Sequence, residues 1–415
     1  RRSAPMRIAI QTFGTRGDVQ PYVALARGLI ARGHDVQLAA PEQFSDLASR
    51  LRVPFAPLPG TLLDLLDSDA GKAAVAAGRG FSAGLALLGK IKPAMTRLMD
   101  AEWEALRGFG PRLILHHPKS LVSPAIAARL GARSLLASPL PGFTPTSAFP
   151  SPILPIRLPS LLNKPSHMLM AAAPALLFGR MLTRWRRERL GQQRRYPDPS
   201  IGVLYAYSRH VIPVPSDWDP KRVHVCGYWF LDEPESGVSP ALASFLTAGT
   251  APIYVGFGSM PGDRPRELAE AIVAGLRLAG MRGILVRGGG ALDLQEHGDD
   301  MLVIDAAPHD KLLPHVAGAL HHGGAGTTGA SLRAGVPMAI RPFFGDQPFW
   351  ADRIAALGAG PGALPRQLTP DVVAAAAKAL QVPEVRKRAA ELGKVIRAEQ
   401  GVEAAVIDIE ERMSC

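Results

Sequence analysis

A glycine-rich segment in the C-terminal part of the chain combines groups that suit an anionic ligand. It reads HHGGAGTT at positions 321–328, after an apolar run at 316–320 and before a helical pattern that Gly335 closes. A glycine turn between a strand and a helix lets backbone N–H groups approach an anion, and the helix N-terminus adds partial positive charge. The pattern predicts a diphosphate cradle. Asp346 and Gln347 follow it as polar groups suited to sugar hydroxyls, so the stretch favours a nucleotide-sugar ligand.

A second polar turn lies near the start of the chain, where Gly17 and Asp18 follow a strand-like run at 6–13. Ligands of open α/β sheets bind beyond the carboxyl ends of the strands, so a carboxylate placed there can face a cleft. Asp18 has two interpretations from its position alone: the general base for an acceptor hydroxyl, or a cap for the helix that begins near Val19. Because a carboxylate is a weak base toward an alcohol, proton transfer would be concerted with attack and with loss of the leaving group.

The elements that must position these residues follow an α/β pattern. The first half opens as strand, helix and strand, with predicted strands at 6–13, 35–40, 113–117, 133–137 and 211–214. Turn formers and acids at 227–240 then precede a new alternation, with predicted strands at 284–286, 302–304, 317–321 and 336–340. A chain of 415 residues exceeds the size at which one core keeps growing, so two domains are expected.

Composition narrows the class of protein and its surroundings. Two cysteines are too few for a disulfide framework, and residue 6 opens directly into a strand-like run without the apolar segment of a signal peptide, so a cytoplasmic location is predicted. The apolar stretch 168–178 is too short to span a bilayer. Much of the net charge of +11 lies in the arginine-rich stretch 180–195. That stretch is either a peripheral contact with an anionic membrane or a solvated helix face; nucleic-acid binding is not expected, because no recognition motif accompanies the charge.

Two segments resemble the family 1 glycosyltransferases. The stretch HHGGAGTTGASLRAGVPMAIRPFFGDQPFWADRIAALGAG is similar to their nucleotide-sugar motif, in the branch that contains sterol glucosyltransferases and the glycosyltransferases of antibiotic biosynthesis. The stretch GTRGDVQP at 14–21 resembles the sterol branch more than the antibiotic branch, where GSRGD-x-EP is more usual. With GFGS at 256–259 between them, the matches span most of the chain in the expected order. The resemblance implies a GT-B fold, in which two Rossmann-like domains face each other across a cleft.

The resemblance also implies roles for individual residues. Asp18 matches the catalytic base of this branch, where plant relatives use histidine, and Asp346 and Gln347 match the pair that binds the sugar hydroxyls. His321 matches the histidine that donates to the diphosphate. The remaining nucleotide-sugar contacts implied are Gly17, Ser259, Ala307, His309, Gly323, Gly324, Ala325, Gly326 and Thr327.

The resemblance gives the domain boundaries a meaning. An acceptor-binding domain is predicted at 1–230, a linker at 231–250, a nucleotide-sugar domain at 251–385, and helices that cross back to the first domain at 386–415. The proline-rich stretch 139–165 is predicted to be a long loop that lines an apolar pocket, with Phe143 and Phe149 as acceptor contacts. An ordinary domain cover is the alternative for this stretch.

Neither a metal nor a cofactor is expected. The histidine pairs at 116–117 and 321–322 lack further ligands at metal-binding spacing, and residues 67–69 lie outside the nucleotide domain and are interpreted as a solvated loop. One departure from the family concerns the donor. Plant members carry a ribose-binding glutamate where this chain has Gly329, which leaves the choice between UDP and TDP open.

The predicted activity is inverting, metal-independent transfer of glucose from UDP-glucose to a hydroxyl of a sterol or similar apolar molecule. The alternative is a natural-product glycosyltransferase of the macrolide, flavonoid or antibiotic type that uses a UDP- or TDP-sugar, which would suit the alanine- and arginine-rich composition of a GC-rich bacterium. A deoxysugar would leave the polar groups of Asp346 and Gln347 with fewer partners. A non-catalytic accessory protein would be expected to have lost Asp18 or the phosphate motif, and this chain keeps both.

Overall fold

The structure is a computed structural model that describes residues 4–61, 80–154, 158–192, 198–233, 237–260, 264–294, 298–306 and 308–414, with only the backbone of residues 80–90. Ala307, residues 67–69 and residues 193–197 lie outside the described residues, so the predictions made for them stay predictions. Within the described part, the chain forms two parallel sheets, each flanked by helices. The predicted fold class of two Rossmann-like α/β domains is confirmed.

The first sheet has seven parallel strands in the order β3-β2-β1-β4-β5-β6-β7. Its strands are β1 (Arg7–Gln11), β2 (Asp35–Pro41), β3 (Phe55–Leu58), β4 (Leu113–His116), β5 (Arg133–Ser138), β6 (Ser200–Tyr205) and β7 (Val223–Val225). Every residue of β4 is buried, as expected for a central strand covered on both faces. The strand order reverses between β1 and β4, and such a switch point opens a crevice at the carboxyl ends of the two strands.

The second sheet has five parallel strands in the order β10-β9-β8-β11-β12. They are β8 (Ile253–Gly256), β9 (Gly283–Val286), β10 (Met301–Ile304), β11 (Gly318–His321) and β12 (Met338–Ile340). Its switch point lies between β8 and β11, so the turns that follow these two strands line the crevice of the second domain. The predicted GFGS turn at 256–259 follows β8, and the HHGGAGTT turn at 321–328 follows β11.

The helices of the first domain are α1 (Arg16–Ala31), α2 (Ser45–Arg50), α3 (Gly80–Phe109), α4 (Ser123–Leu130) and α5 (Asn163–Leu190). The following helices are α6 (Pro240–Thr247), α7 (Pro265–Leu278), α8 (His309–Leu312), α9 (Ala325–Ala334), α10 (Gln347–Ala356), α11 (Pro370–Ala379), α12 (Pro383–Ala398) and α13 (Gly401–Ser414). Short 3-10 turns lie at Glu42–Phe44, Ser160–Leu162 and Leu313–His315. None of the helices in the described part combines the length and the apolarity that a bilayer span requires.

One strand prediction was wrong. Residues 211–214 form a turn, in which the N–H groups of Val211 and Ile212 both bond to the carbonyl of Ser208. Val211 and Ile212 are buried because this turn packs into the apolar core. A short buried apolar run has the same pattern in a strand and in a turn, so periodicity does not separate them. The sequence pattern did not predict β6 or the two outer strands of this sheet, β3 and β7.

The chain crosses between the domains at two adjacent glycines. After β7 it turns at Gly227, whose φ is +93°, and it returns between α12 and α13. A Cβ on Gly401 would lie 2.3 Å from the carbonyl oxygen of Tyr228 and 2.7 Å from the carbonyl carbon of Gly227. The two crossings therefore pack backbone against backbone. The helices that return to the first domain were predicted to begin at 386. In the structure, α12 packs on α9 of the second domain, and only α13 packs on α1 of the first domain.

Candidate functional site

Asp18 lies in the first turn of α1, at the carboxyl end of β1. Its Oδ2 atom accepts a hydrogen bond from the backbone N–H of Thr15 at 3.0 Å. Asp18 thus helps to cap the helix from its third position, but the helix begins at Arg16 with Thr15 as N-cap, and not near Val19 as predicted. The carboxylate of Asp18 folds back over Gly14. This position requires glycine, because its φ is +139° and a Cβ there would lie 2.1 Å from Oδ2. The other oxygen, Oδ1, faces His117 and the cleft.

His117 follows β4, and its Nε2 atom lies 3.3 Å from Oδ1 of Asp18. The backbone N–H of Lys119 donates to Nδ1 of the same ring at 3.0 Å. Nδ1 must therefore be the unprotonated nitrogen, which places the ring proton on Nε2 and directs it at Asp18. Burial lowers the pKa of His117 below its ordinary value, although Asp18 opposes this. His117 is thus a neutral donor that orients the carboxylate.

Lys119 supplies the second contact to the carboxylate. Its Nζ atom lies 2.8 Å from Oδ2 of Asp18, and the lysine side chain is half exposed. Burial acts to raise the pKa of Asp18, but the charge of Lys119 and the hydrogen bond from His117 outweigh it, so the pKa lies below its ordinary value. Asp18 is therefore ionised across the neutral pH range.

The predicted diphosphate cradle lies where β11 meets α9. His321 is fully buried, and the backbone N–H of Gly323 donates to its Nδ1 atom at 3.0 Å. The proton then lies on Nε2, which is buried and has no hydrogen-bond partner among the described residues. Burial also lowers the pKa of His321, so the ring is neutral. A buried donor without a partner costs free energy unless a ligand accepts its hydrogen bond.

Backbone groups complete this cradle. Gly323 has φ +85° and Gly324 precedes α9 as its N-cap, so the first-turn N–H groups of Ala325, Gly326 and Thr327 point out of the helix. A Cβ on Gly326 would lie 3.9 Å from the Cα of Gly17 in the first domain. The cradle therefore faces the Asp18 turn directly across the cleft.

Ser259 lies on a second turn beside the cradle, after β8. It is exposed at the rim, and the preceding Gly258 has φ +60° and packs against the ring of His322. The N–H of Gly289 donates to the carbonyl of Gly258 at 2.7 Å, which joins this turn to the one after β9. The structure thus brings Ser259 to the same switch point as His321.

Asp346 and Gln347 lie at the start of α10, and the structure gives them different environments. The indole N–H of Trp350 donates to Oδ2 of Asp346 at 2.8 Å. Burial raises the pKa of Asp346 and the charge of Asp18 adds to this effect, which places the two carboxylates within electrostatic range across the cleft. The Oε1 atom of Gln347 accepts the N–H of Phe343 at 2.6 Å. The amide N–H₂ of Gln347 lies 3.5 Å from the sulfur of Met260, and it is the part of this side chain that points away from the loop of Phe343.

The predicted nucleobase end contains His309, whose Nε2 atom lies 3.0 Å from the hydroxyl of Tyr254. Burial lowers the pKa of His309 to about 4, so its ring is neutral. The position of the plant ribose-binding glutamate is occupied in another way. A Cβ on Gly329 would lie 2.8 Å from the ring of Tyr228, so no larger residue fits there without displacing this tyrosine.

The predicted acceptor residues line the loop between β5 and α5. Phe149 contacts Phe349 of α10 at a ring distance of 5.8 Å, so a residue of the predicted acceptor loop touches the helix that begins at the predicted sugar-binding pair. Phe143 lies further back, with its N–H 3.3 Å from the hydroxyl of Tyr205. Tyr205 stacks on Trp218 at 5.1 Å, which adds aromatic surface behind the loop. Phe149 is therefore at the meeting of the two domains, whereas Phe143 anchors the base of the loop.

Sequence reasoning missed His117 as a partner of Asp18 and missed Lys119 altogether. The signal was their position directly after the strand-like run 113–117, at the same carboxyl edge as Asp18 once β1 and β4 pair. Among the described residues, no group of three or more His, Cys, Asp or Glu side chains is arranged to bind a metal ion. The chemistry that the site offers is proton transfer to Asp18 and stabilisation of an anion at His321.

Comparisons with known proteins agree with this arrangement. Residues 8–106 match the family model of the glycosyltransferase family 28 N-terminal domain, and residues 286–409 match the C-terminal domain of erythromycin biosynthesis protein CIII-like proteins. A sterol 3-beta-glucosyltransferase of Arabidopsis thaliana is 34% identical over 98% of this chain and 68% of its own length. The O-mycaminosyltylonolide 6-deoxyallosyltransferase of Streptomyces fradiae is 34% identical over 98% of this chain and 97% of its own.

The chain spans only part of several longer relatives, such as 27% of a Neurospora crassa sterol 3-beta-glucosyltransferase. Among solved structures, the glycosyltransferase of kitacinnamycin superposes with a TM-score of 0.73 over 99% of both chains at 20% identity. At that identity the likeness concerns the fold, and it shows that the two domains have the GT-B arrangement.

Proposed function

Since this chain belongs to the family 1 type of glycosyltransferases, which includes sterol 3-beta-glucosyltransferases and macrolide sugar transferases, we propose that it transfers glucose from UDP-glucose to a hydroxyl of a sterol or similarly apolar alcohol. The observation that carries the proposal is the meeting of Asp18 from the first domain with Asp346 and the His321 cradle from the second. A base, a sugar-binding group and a diphosphate-binding group thereby surround one cleft.

Asp18 acts as the base in this proposal. The acceptor oxygen attacks the anomeric carbon while its proton passes to Oδ1 of Asp18, and the bond from that carbon to the diphosphate oxygen breaks with its electron pair. A single displacement of this kind inverts the anomeric centre. His117 is not the base, because its Nε2 atom carries the proton that faces Asp18.

The leaving diphosphate gains negative charge as the bond breaks. The Nε2 proton of His321 and the first-turn N–H groups of α9 are donors already fixed in place, so they stabilise this charge without reorganisation. Asp346 accepts hydrogen bonds from the sugar hydroxyls, and the N–H₂ of Gln347 donates to them. No cofactor or metal takes part in these steps.

Lys119 tunes the base. By keeping Asp18 ionised, it maintains the form that accepts a proton, but it also lowers the basicity of the carboxylate. An acceptor hydroxyl that enters beside Asp18 shares Oδ1 with Nε2 of His117, while the half-exposed ammonium group of Lys119 holds Oδ2. Proton transfer then occurs late, when the anomeric carbon already carries positive charge.

The apolar acceptor is supported by aromatic side chains where the acceptor loop meets α10. Phe149 and Phe349 are partly exposed and contact each other there, and the buried rings of Trp218 and Tyr205 pack behind Phe149. A rigid apolar alcohol gains from burial against such a surface by roughly 25 cal/mol for each Å² removed from water. A polar sugar acceptor would gain much less.

A second candidate is a natural-product transferase that uses a TDP-sugar. It is favoured by the Streptomyces relative, of whose length this chain spans 97%. The packing of Tyr228 against Gly329 also leaves the ribose without the glutamate of plant relatives. Under this proposal the same base and cradle act on another donor and acceptor.

The test is incubation of the protein with UDP-glucose, without added metal, against separate panels of sterols, flavonoids and macrolides. Release of UDP and the gain of one hexose by the acceptor are followed together. Asp18→Asn keeps the shape of the side chain and removes the base, so we expect a loss of about 10²- to 10⁴-fold in kcat. The matched control is Asp371→Asn, an exposed carboxylate at the start of α11.

The outcomes separate the candidates. A hexose on sterols only, lost in Asp18→Asn, supports the first proposal. Modification of macrolides or flavonoids but not sterols, or activity with TDP-sugars only, supports the second. Full activity of Asp18→Asn would refute the assigned base whatever the acceptor.

A further inference from the structure

Helix α5 and the 3-10 turn before it expose a continuous apolar surface. Among the exposed side chains, Leu161 is 86% accessible, Leu176 75%, Met168 60% and Leu169 57%. Single exposed leucines are common on soluble proteins, but a contiguous group is not, because it keeps a large apolar area in water. We call these four residues the α5 apolar face.

The helical period places this face on one side of α5. Leu169 and Leu176 are seven residues apart and therefore lie two turns apart on the same side, with Met168 beside them. The stretch 165–179 contains no Asp, Glu, Lys or Arg. Ser166 and His167 are buried on the other side of the helix. Four helical turns thus present an outer surface without a charge.

The charge begins where the apolar face ends. Arg180, Arg184 and Arg187 are exposed, and Arg180 and Arg187 continue the same side of the helix one and three turns beyond Leu176. Arg184 pairs with Glu188 at 2.7 Å, the single acidic residue of this helix. The surface therefore combines an apolar half and a cationic half along one helix.

We infer that the α5 apolar face and the adjoining arginines form a docking surface for an anionic lipid bilayer. The leucine and methionine side chains enter the boundary between headgroups and acyl chains, and the arginines contact lipid phosphates. Charge complementarity selects this occupant over a second copy of the chain. A second copy would meet these arginines with a helix whose single acidic residue, Glu188, is already paired with Arg184, and each copy carries a net charge of +11.

The opposite side of α5 holds the acceptor loop. The hydroxyl of Ser166 accepts the N–H of Ser151 at 2.8 Å, and Nε2 of His167 lies 3.1 Å from the carbonyl oxygen of Phe149. Docking would therefore place the acceptor loop one helix diameter from the bilayer. One consequence depends on the proposed function: an acceptor that is a membrane lipid alcohol would reach the cleft without crossing bulk water.

Flotation with lipid vesicles tests the docking surface independently of catalysis. The whole protein is mixed with vesicles of phosphatidylcholine alone, or of phosphatidylcholine with phosphatidylglycerol, and the bound fraction is measured at several lipid concentrations. We expect binding to the anionic vesicles and little to the neutral ones. Because each basic residue near an anionic surface contributes a factor of roughly five, Arg180→Ser with Arg187→Ser should weaken binding about 30-fold.

The apolar half is tested with Leu169→Ser and Leu176→Ser in one chain, which should weaken binding at least tenfold. Leu278→Ser is the matched control, because Leu278 is 56% exposed on α7, close to the 57% of Leu169. All these positions are exposed, so the unfolding temperature should stay unchanged and serves as the check on folding.

Three outcomes would overturn the inference: no binding to anionic vesicles, equal binding by the α5 variants and wild type, or a wild-type dimer that the leucine variant converts to monomer. The last would identify a second copy as the occupant, and sedimentation velocity detects it. Failure of the proposed function is distinguishable, because flotation proceeds whether or not any acceptor is glycosylated.

Discussion

Replacement of Lys119 by methionine removes the charge next to Asp18 and keeps the length of the side chain. In the native protein, Nζ of Lys119 lies 2.8 Å from Oδ2 of Asp18 and helps to hold the pKa of that carboxyl below its ordinary value. His117 remains in the variant and still donates to Oδ1. The variant therefore isolates the electrostatic effect of one ammonium group on the proposed base.

The magnitude follows from the separation and exposure of the two groups. Unit charges 4 Å apart attract by about 1 kcal/mol in bulk water and by about 4 kcal/mol at the effective dielectric constant of a protein surface. The Lys119 side chain is 50% exposed and that of Asp18 is 20% exposed, so solvent screening places this pair near the lower value. Since about 1.4 kcal/mol corresponds to one pKa unit, the loss of an attraction of about 1 kcal/mol or slightly more should raise the pKa of Asp18 by about one unit.

The assay is the pH dependence of kcat/KM for the donor, which reports the ionisation of the free enzyme, measured as initial rates from about pH 2 to about pH 8. A base is active when ionised, so activity falls as the pH drops through the pKa of Asp18. In the wild type this decline lies at low pH, because the pKa is depressed. In Lys119→Met we expect the decline about one pH unit higher, with activity near neutral pH changed much less.

Two controls make the result specific. Lys119→Arg retains the positive charge and should keep the acid decline close to that of the wild type. Lys221→Met removes a charge from an exposed loop away from the cleft and should leave the profile unchanged. An acid decline at the same pH in Lys119→Met and wild type would refute the reasoning, and a loss of activity that is equal at every pH would assign Lys119 a positioning role instead.

Three further perturbations test other parts of the molecule. His321→Ala removes the buried Nε2 donor and should weaken UDP binding, measured by calorimetry, about tenfold or more; unchanged affinity would contradict the cradle. Gly401→Ala forces a Cβ to within 2.3 Å of a backbone oxygen and should cost about 1–3 kcal/mol in urea unfolding, whereas Gly362→Ala, where a Cβ meets nothing within 4 Å, should cost almost nothing. Glu410→Gln breaks the contact with Arg32, whose hydrogen bond lowers the pKa of the carboxyl. That stabilisation is present above the unfolded pKa and lost as the pH falls through the folded one. The difference in stability between variant and wild type at neutral pH should therefore disappear in acid, and a constant difference would contradict it.

Much of the fold could be predicted because its strands have a local signature. The runs that became β1, β2, β4 and β5 are short, apolar and bounded by turn formers, and each was placed to within two residues. The prediction for residues 211–214 failed because Val211 and Ile212 are buried by packing in a turn, which leaves the same apolar pattern as a strand. Three strands of the first sheet escaped prediction, because β6 contains Gly202 and the edge strands β3 and β7 have only four and three residues.

The candidate site divides in the same way. Asp18 and His321 could be predicted because each lies in a glycine turn whose chemistry is readable over a few residues. Lys119 carries no local signal, since an isolated lysine after a strand is usually solvated. The spacing of residues also does not indicate that Oε1 of Gln347 accepts the N–H of Phe343 at 2.6 Å, a bond that only the structure shows.

By itself, the sequence determined the α/β class, the two-domain organisation and the cradle, because glycine turns, apolar periods and helix N-termini are properties of neighbouring residues. Tertiary structure decided what surrounds the proposed base. The parallel pairing of β1 with β4 brings His117 and Lys119 to Asp18, and the facing of the two domains brings Asp346 there. Such contacts join residues about a hundred or more positions apart, so they arise only when strand order and domain packing are established.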